Sequence, residues 1–253
     1  MRIGQRRARA AAAALLAAAL FVTGCGAGAR PKPGATGPAK GASEIGADAA
    51  RNAGQMPWAP KELIDMEGQA ESLVDAALAG DWTRADASAA RLKADWPTVR
   101  REVARRGVSA ALLSRVDRLV ADALTATSRR DAQEAAGKAN AVTGYGAAFM
   151  NLFQMTLPPQ IPMMDFQARA AMLDAQAGEW RTVEAEVGAL DGVWLSFHPT
   201  VRARRPDNRT AIEQRLAALA GDAQAKDAAA VRRDAEALIR EVDRLRTQFL
   251  QGK

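Results

Sequence analysis

Residues 76–96, AALAGDWTRADASAARLKADW, recur at 174–194 as DAQAGEWRTVEAEVGALDGVW, at a constant offset of 98 and without a gap. Gly80 matches Gly178, Asp81 matches Glu179, Trp82 matches Trp180, Leu92 matches Leu190 and Trp96 matches Trp194. The tail of each unit follows at an offset of 96: Val116 meets Ile212, Val120 meets Leu216, Asp131 meets Asp227, Val142 meets Leu238 and Phe153 meets Phe249. Whatever one half folds into, the other half must be able to fold into as well. Within each copy the large residues step by three and four, as in Trp82-Ala85-Ala89-Leu92-Trp96 and Trp180-Val183-Val187-Leu190-Trp194, which is the period of one helix face.

The same spacing predicts four helices per unit. In the first unit Pro60 suits an opening turn, and Leu63, Met66, Ala70, Leu73 and Ala77 line one face before Gly80-Asp81 interrupts. A second helix is expected from Trp82 towards Gly107, kinked at Pro97. Ser109 is placed to cap a third carrying Leu112, Val116, Leu119 and Ala123. A fourth runs after Arg129-Arg130 through Ala135, Ala139, Val142, Phe149 and Phe153, until Pro158, Pro159 and Pro162 end it. High Ala and Leu with few aromatics favours helix over strand. Short turns make neighbouring helices antiparallel, so the expected fold is all-α: two tandem antiparallel four-helix bundles from an internal duplication. A continuous solenoid of helical hairpins is the second architecture, although the 34-residue period of tetratricopeptide arrays is absent.

Ahead of the repeats, Arg2, Arg6, Arg7 and Arg9 precede an apolar run from Ala10 to Val22. Thirteen residues or so are too few to cross a ~30 Å hydrocarbon core but suit the apolar part of a signal peptide. The run closes on Val22-Thr23-Gly24-Cys25, which resembles the lipobox of bacterial lipoproteins. That resemblance implies diacylation of Cys25, cleavage before it, and an anchored protein on the extracytoplasmic side of a cell membrane; an ordinary secretory signal is the alternative. Cys25 is the single cysteine, so neither an intrachain disulfide nor a cysteine-based metal site is possible. From Gly26 to Pro57 a Gly-, Ala- and Pro-rich stretch offers almost nothing to bury and reads as a tether, with a root-mean-square span of about 30 Å. The expected organisation is therefore a signal peptide over 1–24, lipidated cysteine and linker over 25–57, and bundle units over 58–157 and 158–253.

Each unit is also similar to a bacterial domain family of unknown function carried by membrane-anchored or exported proteins. The resemblance rests on a Gly-Asp-Trp turn, a second tryptophan fourteen residues on, and a later Lys/Arg-Asp turn. Here these are Gly80-Asp81-Trp82, Trp96 and Arg130-Asp131, then Gly178-Glu179-Trp180, Trp194 and Lys226-Asp227, with Glu179 departing from the pattern. It implies a helical bundle at the cell envelope and brings no activity with it.

The chain has 35 Lys+Arg against 29 Asp+Glu, a net +6. Without the four signal arginines the balance is 31 against 29, or +2, which gives no reason to expect nucleic acid as a partner. Catalysis has little to stand on. His198 is the single histidine, its counterpart in the first unit is Arg100, and no G-x-S-x-G, P-loop or H-E-x-x-H pattern occurs. Acids at the turns, Asp81, Glu179, Asp131 and Asp227, suit helix caps. No metal site or cofactor is expected, and the chain reads as a non-enzyme.

Two surfaces stand out as candidates. Met150, Met155, Met163 and Met164 cluster with Phe166 around the junction of the units; they suit a partner-binding apolar patch, adaptable internal packing, or, through soft thioethers, Cu(I). Arg100, Arg101, Arg105 and Arg106, and in the second unit Arg202, Arg204 and Arg205, gather at the ends of the second helices. They complement the helix dipole or meet anionic lipid headgroups or wall polymers. The expected function is a lipid-anchored cell-envelope interaction or scaffold module with an envelope protein as partner. The alternative is an extracytoplasmic small-ligand or metal carrier using a bundle cavity or the methionine cluster.

Overall fold

The computed structural model describes residues 56–204 and 206–251. The expected signal segment, Cys25 and the expected tether, up to residue 55, lie outside the described residues. Among the latter there are eight helices: α1 Lys61–Ala79, α2 Trp82–Arg105, α3 Ala110–Ser128, α4 Ala132–Met150, α5 Gln160–Gln176, α6 Trp180–Arg204, α7 Pro206–Ala225 and α8 Ala228–Gln251.

Local chemistry sets most of the boundaries. Gly80 ends α1 in the left-handed region at φ 70, returning its N–H to Ala76 and Ala77, and Asp81 then accepts from the Arg84 N–H at 3.1 Å to open α2. Ser109 caps α3 through the Leu112 N–H at 3.2 Å, and Asp131 caps α4 through the Glu134 N–H at 3.0 Å. The second half repeats these backbone exceptions. Gly178 takes φ 73, and Lys226 takes φ 54 where Arg130 takes φ 60. Asp227 follows, accepting from the N–H groups of Ala229 and Ala230. A non-glycine residue at positive φ costs roughly 1–2 kcal/mol, so its occurrence at matching turns reflects the same tight reversal in both halves.

Two expected boundaries differ. α4 stops at Met150, three residues short of Phe153, because the Asn151 side-chain amide covers the Ala147 and Ala148 carbonyls at 3.3 and 3.2 Å and the chain turns. Pro162 lies in the first turn of α5 and does not end a helix; no intrahelical acceptor exists for an N–H there, so its absence is tolerated. As expected, α2 runs through Pro97 and ends at Arg105, just before Gly107.

Helix neighbours decide between the two architectures. α1 packs on α2, α2 on α3, α3 on α4, and α4 returns to α1; α5 to α8 close in the same order. A solenoid of hairpins would leave its first and fourth helices apart. Each ring surrounds its own apolar core. The first contains Leu63, Met66, Leu73, Leu92, Trp96, Val99, Tyr145 and Phe149, with Trp96 stacked on Phe149 at 6.4 Å. The second contains Ile161, Met164, Val183, Leu190, Trp194, Phe197, Leu238 and Phe249, with Phe197 against Phe249 at 5.7 Å. α4 also packs on α5. These two central helices are buried on nearly every face, as Tyr145, Ala147, Ala148 and Phe149 on one and Ile161, Met164, Ala168 and Ala171 on the other indicate. Among the described residues no helix is long and apolar enough to cross a membrane.

Candidate functional site

Both bundles place a tryptophan late on their second helix opposite a carboxylate on their third. In the first bundle this corner is bonded across. The Trp96 indole N–H donates to Asp117 at 2.8 Å, and the Arg100 guanidinium meets both oxygens of the same carboxylate at 3.1 and 3.2 Å. Leu113, on the preceding turn of α3, is buried beside it, and Leu124 is half-buried farther along.

In the second bundle the corresponding positions carry different residues. Arg100 becomes His198, Asp117 becomes Glu213, Leu113 becomes Arg209 and Leu124 becomes Ala220. Leu113 and Leu124 are thereby replaced by Arg209 and Ala220, both of which line the space between the second and third helices of this bundle. Between α6 and α7 lies a groove of about 900 Å³, within the ~300–1,000 Å³ typical of ligand sites. Val187, Trp194 and Leu216 form an apolar floor, Gly188, Ala217, Ala220 and Ala223 keep it wide, and Glu184, Asp191, His198, Arg209 and Glu213 stand along it. From Glu184 to His198 it follows fifteen residues of α6, fourteen steps and roughly 21 Å at 1.5 Å per residue. Leu195 on its lip is 59% exposed.

The charges along the groove do not balance. Glu213 is engaged by Arg209 of its own helix at 2.8 Å, whereas Glu184 and Asp191 have no ion-pair partner among the described residues. Among the described residues lining the groove, three carboxylates thus stand with one guanidinium. His198 tilts against Trp194 with ring centroids 6.1 Å apart and bonds the Leu195 carbonyl of its own helix at 3.2 Å.

A second polar constellation lies inside the molecule, where α1 of the first bundle meets α5 and α8 of the second. Arg246 takes both oxygens of Glu71 at 2.9 Å and reaches Asp165 at 2.5 Å and Glu67 at 3.5 Å. Arg169 lies 3.4 Å from Asp75, 3.7 Å from Glu71 and 3.8 Å from Asp165. Burial pushes the Glu71 carboxyl up, but the hydrogen bonds and charge of Arg246, aided by Arg169, outweigh it and hold the group at about 2. Glu67 goes the other way: burial and the neighbouring Glu71 charge raise it well above the usual carboxylate range. Asp165, fully buried, is likewise raised by burial and then by Glu71, more than the two arginines lower it. These groups tie α1 to α5 and α8. Their signal in the sequence is charge at core spacing: Glu67 and Glu71 fall in the Leu63-Met66-Ala70 stripe, and Asp165 and Arg169 within the apolar run of α5.

The junction patch expected at Met150, Met155, Met163, Met164 and Phe166 is not on the surface. Met150, Met164 and Phe166 are 2%, 0% and 3% exposed, because α4 and α5 pack on each other as well as within their own bundles, while Met155 and Met163 lie half-buried against the first core. The arginine group of the first unit is largely engaged. Arg100 pairs with Asp117, Arg101 and Arg105 flank Glu102 at 3.7 and 2.7 Å, and Arg106 lies over the Phe153 ring at 5.8 Å. The side chains of Arg202, Arg204 and Arg205, like Cys25, lie outside the described part. Among the described residues no cluster of three His, Cys, Asp or Glu side chains suits a metal ion. Compared with known proteins, the chain matches no family model, no curated protein and no solved structure.

Proposed function

We propose that this chain is a lipid-anchored, extracytoplasmic interaction module of the cell envelope, without catalytic activity, whose second bundle receives an amphipathic helix of a partner protein between α6 and α7. The observation that carries the reading is the groove itself. It is open along about four helical turns, apolar on its floor, lined by glycine and alanine that permit close helix approach, and flanked by an exposed Leu195. These are the requirements of helix-in-groove recognition, where anchors at i, i+3, i+4 and i+7 enter an apolar trough. The lipobox-like Cys25 supports anchoring, and the tether gives the bundles reach from the lipid surface.

A photo-crosslinker at Leu195 in the membrane-associated protein tests the reading, with Leu250, exposed on α8, as the off-groove control. The expected result is capture of one helical segment from Leu195 alone, lost in Ala220→Trp, which fills the groove, and mislocalised with the rest of the protein in Cys25→Ser. Equal capture from both positions, or persistence in Ala220→Trp, refutes the groove. A small amphipathic ligand is the second reading, favoured by the volume alone; it predicts a ligand-dependent rise in thermal stability with no crosslinked segment.

A further inference from the structure

Three of the four large apolar side chains exposed among the described residues, Trp58, Ile64 and Leu250, sit at one end of the molecule. The fourth, Leu195, stands partway along α6. Packing makes this a single end. Trp58 precedes α1 and pairs with Gln154 beyond α4: the Gln154 N–H donates to Pro57 at 2.8 Å and the Ala59 N–H to Gln154 at 3.1 Å. Arg106, just past α2, lies over the neighbouring Phe153 ring. Arg246 bonds Asp165 and approaches Glu67, each of the three standing five or six residues from the end of α8 or the start of α5 or α1. Asn208 at the start of α7 donates to Gln248 near the end of α8. The segment that carries Cys25 joins the folded part at this end, just ahead of Trp58.

The charges beside Trp58 lean positive. Arg101 and Arg105 share the single carboxylate of Glu102, Arg106 rests on a neutral ring, Lys61 pairs with Asp65, and Glu62 is the remaining acid of these turns. The pairs are exposed, and exposed pairs are weak enough for a phosphate oxygen to take the place of the carboxylate. The opposite end has mixed charges at its turns, among them Asp81, Arg130, Glu179, Lys226 and Asp227, and exposes no large apolar side chain among the described residues.

We infer that this end of the protein docks on the anionic surface of the membrane that carries Cys25, with the Trp58 indole at headgroup level and Arg101, Arg105 and Arg106 against lipid phosphates. This rests on the anchoring reading and adds where the folded part sits. An indole, apolar with one N–H donor, suits that depth, and Trp58 is 67% exposed where the tether enters. Guanidinium groups bind phosphate by paired N–H bonds. Three exposed apolar side chains hold a folded domain on lipid only weakly, and the tether completes the attachment by keeping the end at high local concentration.

The mature lipid-modified protein, reconstituted into phosphatidylcholine vesicles with or without phosphatidylglycerol, tests the inference. A benzophenone amino acid replaces Trp58, Leu250 or, as the far-end control, the exposed Ala225 at the end of α7, and mass spectrometry quantifies lipid adducts. On anionic vesicles the Trp58 and Leu250 positions are expected to exceed the Ala225 position by at least about fivefold, the effect of one basic residue near such a surface. The excess should vanish on neutral vesicles, in the double variant Arg105→Glu, Arg106→Glu, and in about 1 M salt, where the Debye length is ~3 Å. The salt measurement keeps the native residues and decides the matter if the double variant fails to fold. Equal adducts at the Trp58 and Ala225 positions, or adducts that ignore lipid charge and salt, overturn the docked end and leave the anchor standing. Protein–protein adducts from the Trp58 position do the same and mark a contact between copies. A Cys25 without acyl chains, on protein that leaves the vesicles, overturns the anchoring reading and this inference with it.

Discussion

Arg246→Met removes the cation that makes the shortest bonds to the carboxylates at the junction of the bundles while keeping most of the side-chain volume. In the native protein Arg246 makes two 2.9 Å bonds to Glu71, approaches Asp165 at 2.5 Å, and lies 3.5 Å from Glu67. Asp165 is 0% exposed and Glu67 5%, so water cannot replace the lost partner. Removing one member of a buried ion pair costs about 3–5 kcal/mol, most of it from the charge left behind. At ~2–4 °C per kcal/mol for a folded part of this size, the melting temperature should fall by roughly 6–20 °C. Arg232→Met, which breaks the exposed pair to Glu236 on the outer face of α8, should change stability by less than about 0.5 kcal/mol.

The pH dependence separates the carboxylates. Glu71 sits at about 2 when folded against an ordinary 4.5, so its contribution is fully present above 4.5 and is lost as pH falls towards 2. Glu67 and Asp165 are raised, so the stability they add is fully present below the ordinary carboxyl range and is lost as pH rises through their folded values. Without Arg246 the Glu71 contribution disappears, and the variant should lose more at about pH 7.5 than at about pH 4, where the cluster accepts protons. Urea unfolding of the two variants at these pH values, with a constant slope against denaturant, measures both effects. A loss under about 1 kcal/mol for Arg246→Met, equal at both pH values, would refute the view that the arginine neutralises a buried acidic junction.

Two further outcomes follow from other parts of the fold. Glu186 is raised to about 7 by burial and the nearby Asp174 charge, and Asp174 to about 6 by burial and Glu179; stability from these groups is present below the ordinary carboxyl range and lost as pH rises through 6–7, so Glu186→Gln should flatten this decline and stabilise the protein at about pH 8 in urea titrations. The same chemical change should have opposite signs at two glycines: Gly68→Ala, in the interior of α1 with open space around it, is expected to raise stability by about 0.5–1 kcal/mol, and Gly80→Ala, at φ 70, to lower it by about 1 kcal/mol or more. Thermal melts of both variants decide, and like signs would show that backbone conformation is not what matters at these positions.

Helix identity, helix count in each half and most boundaries were legible in the residues because they depend on neighbours in sequence. Three/four spacing identifies the buried stripe, and Gly80, Ser109 and Asp131 act within one turn of their own positions. The Asn151 stop was not legible, since an asparagine only ends a helix when its amide folds back onto the last carbonyls. The methionine cluster was seen as a group but not placed, because spacing along one helix says which residues share a face and not what covers that face. Burial of Met150, Met164 and Phe166 came from the packing of α4 on α5, a contact between units.

The candidate groove shows the same division. Sequence alone determined that Arg100 and His198 occupy equivalent places and that the two tryptophans correspond, since both follow from register. That these positions share one groove was decided by the third dimension: His198, Arg209, Glu213 and Ala220 converge there only because α6 and α7 lie side by side. The ionic junction is more extreme, with Glu71 and Arg246 in contact across 175 positions of chain. Local spacing encodes secondary structure through short-range geometry, whereas cavities and buried charge pairs are properties of how separate helices meet, which no window along the chain contains.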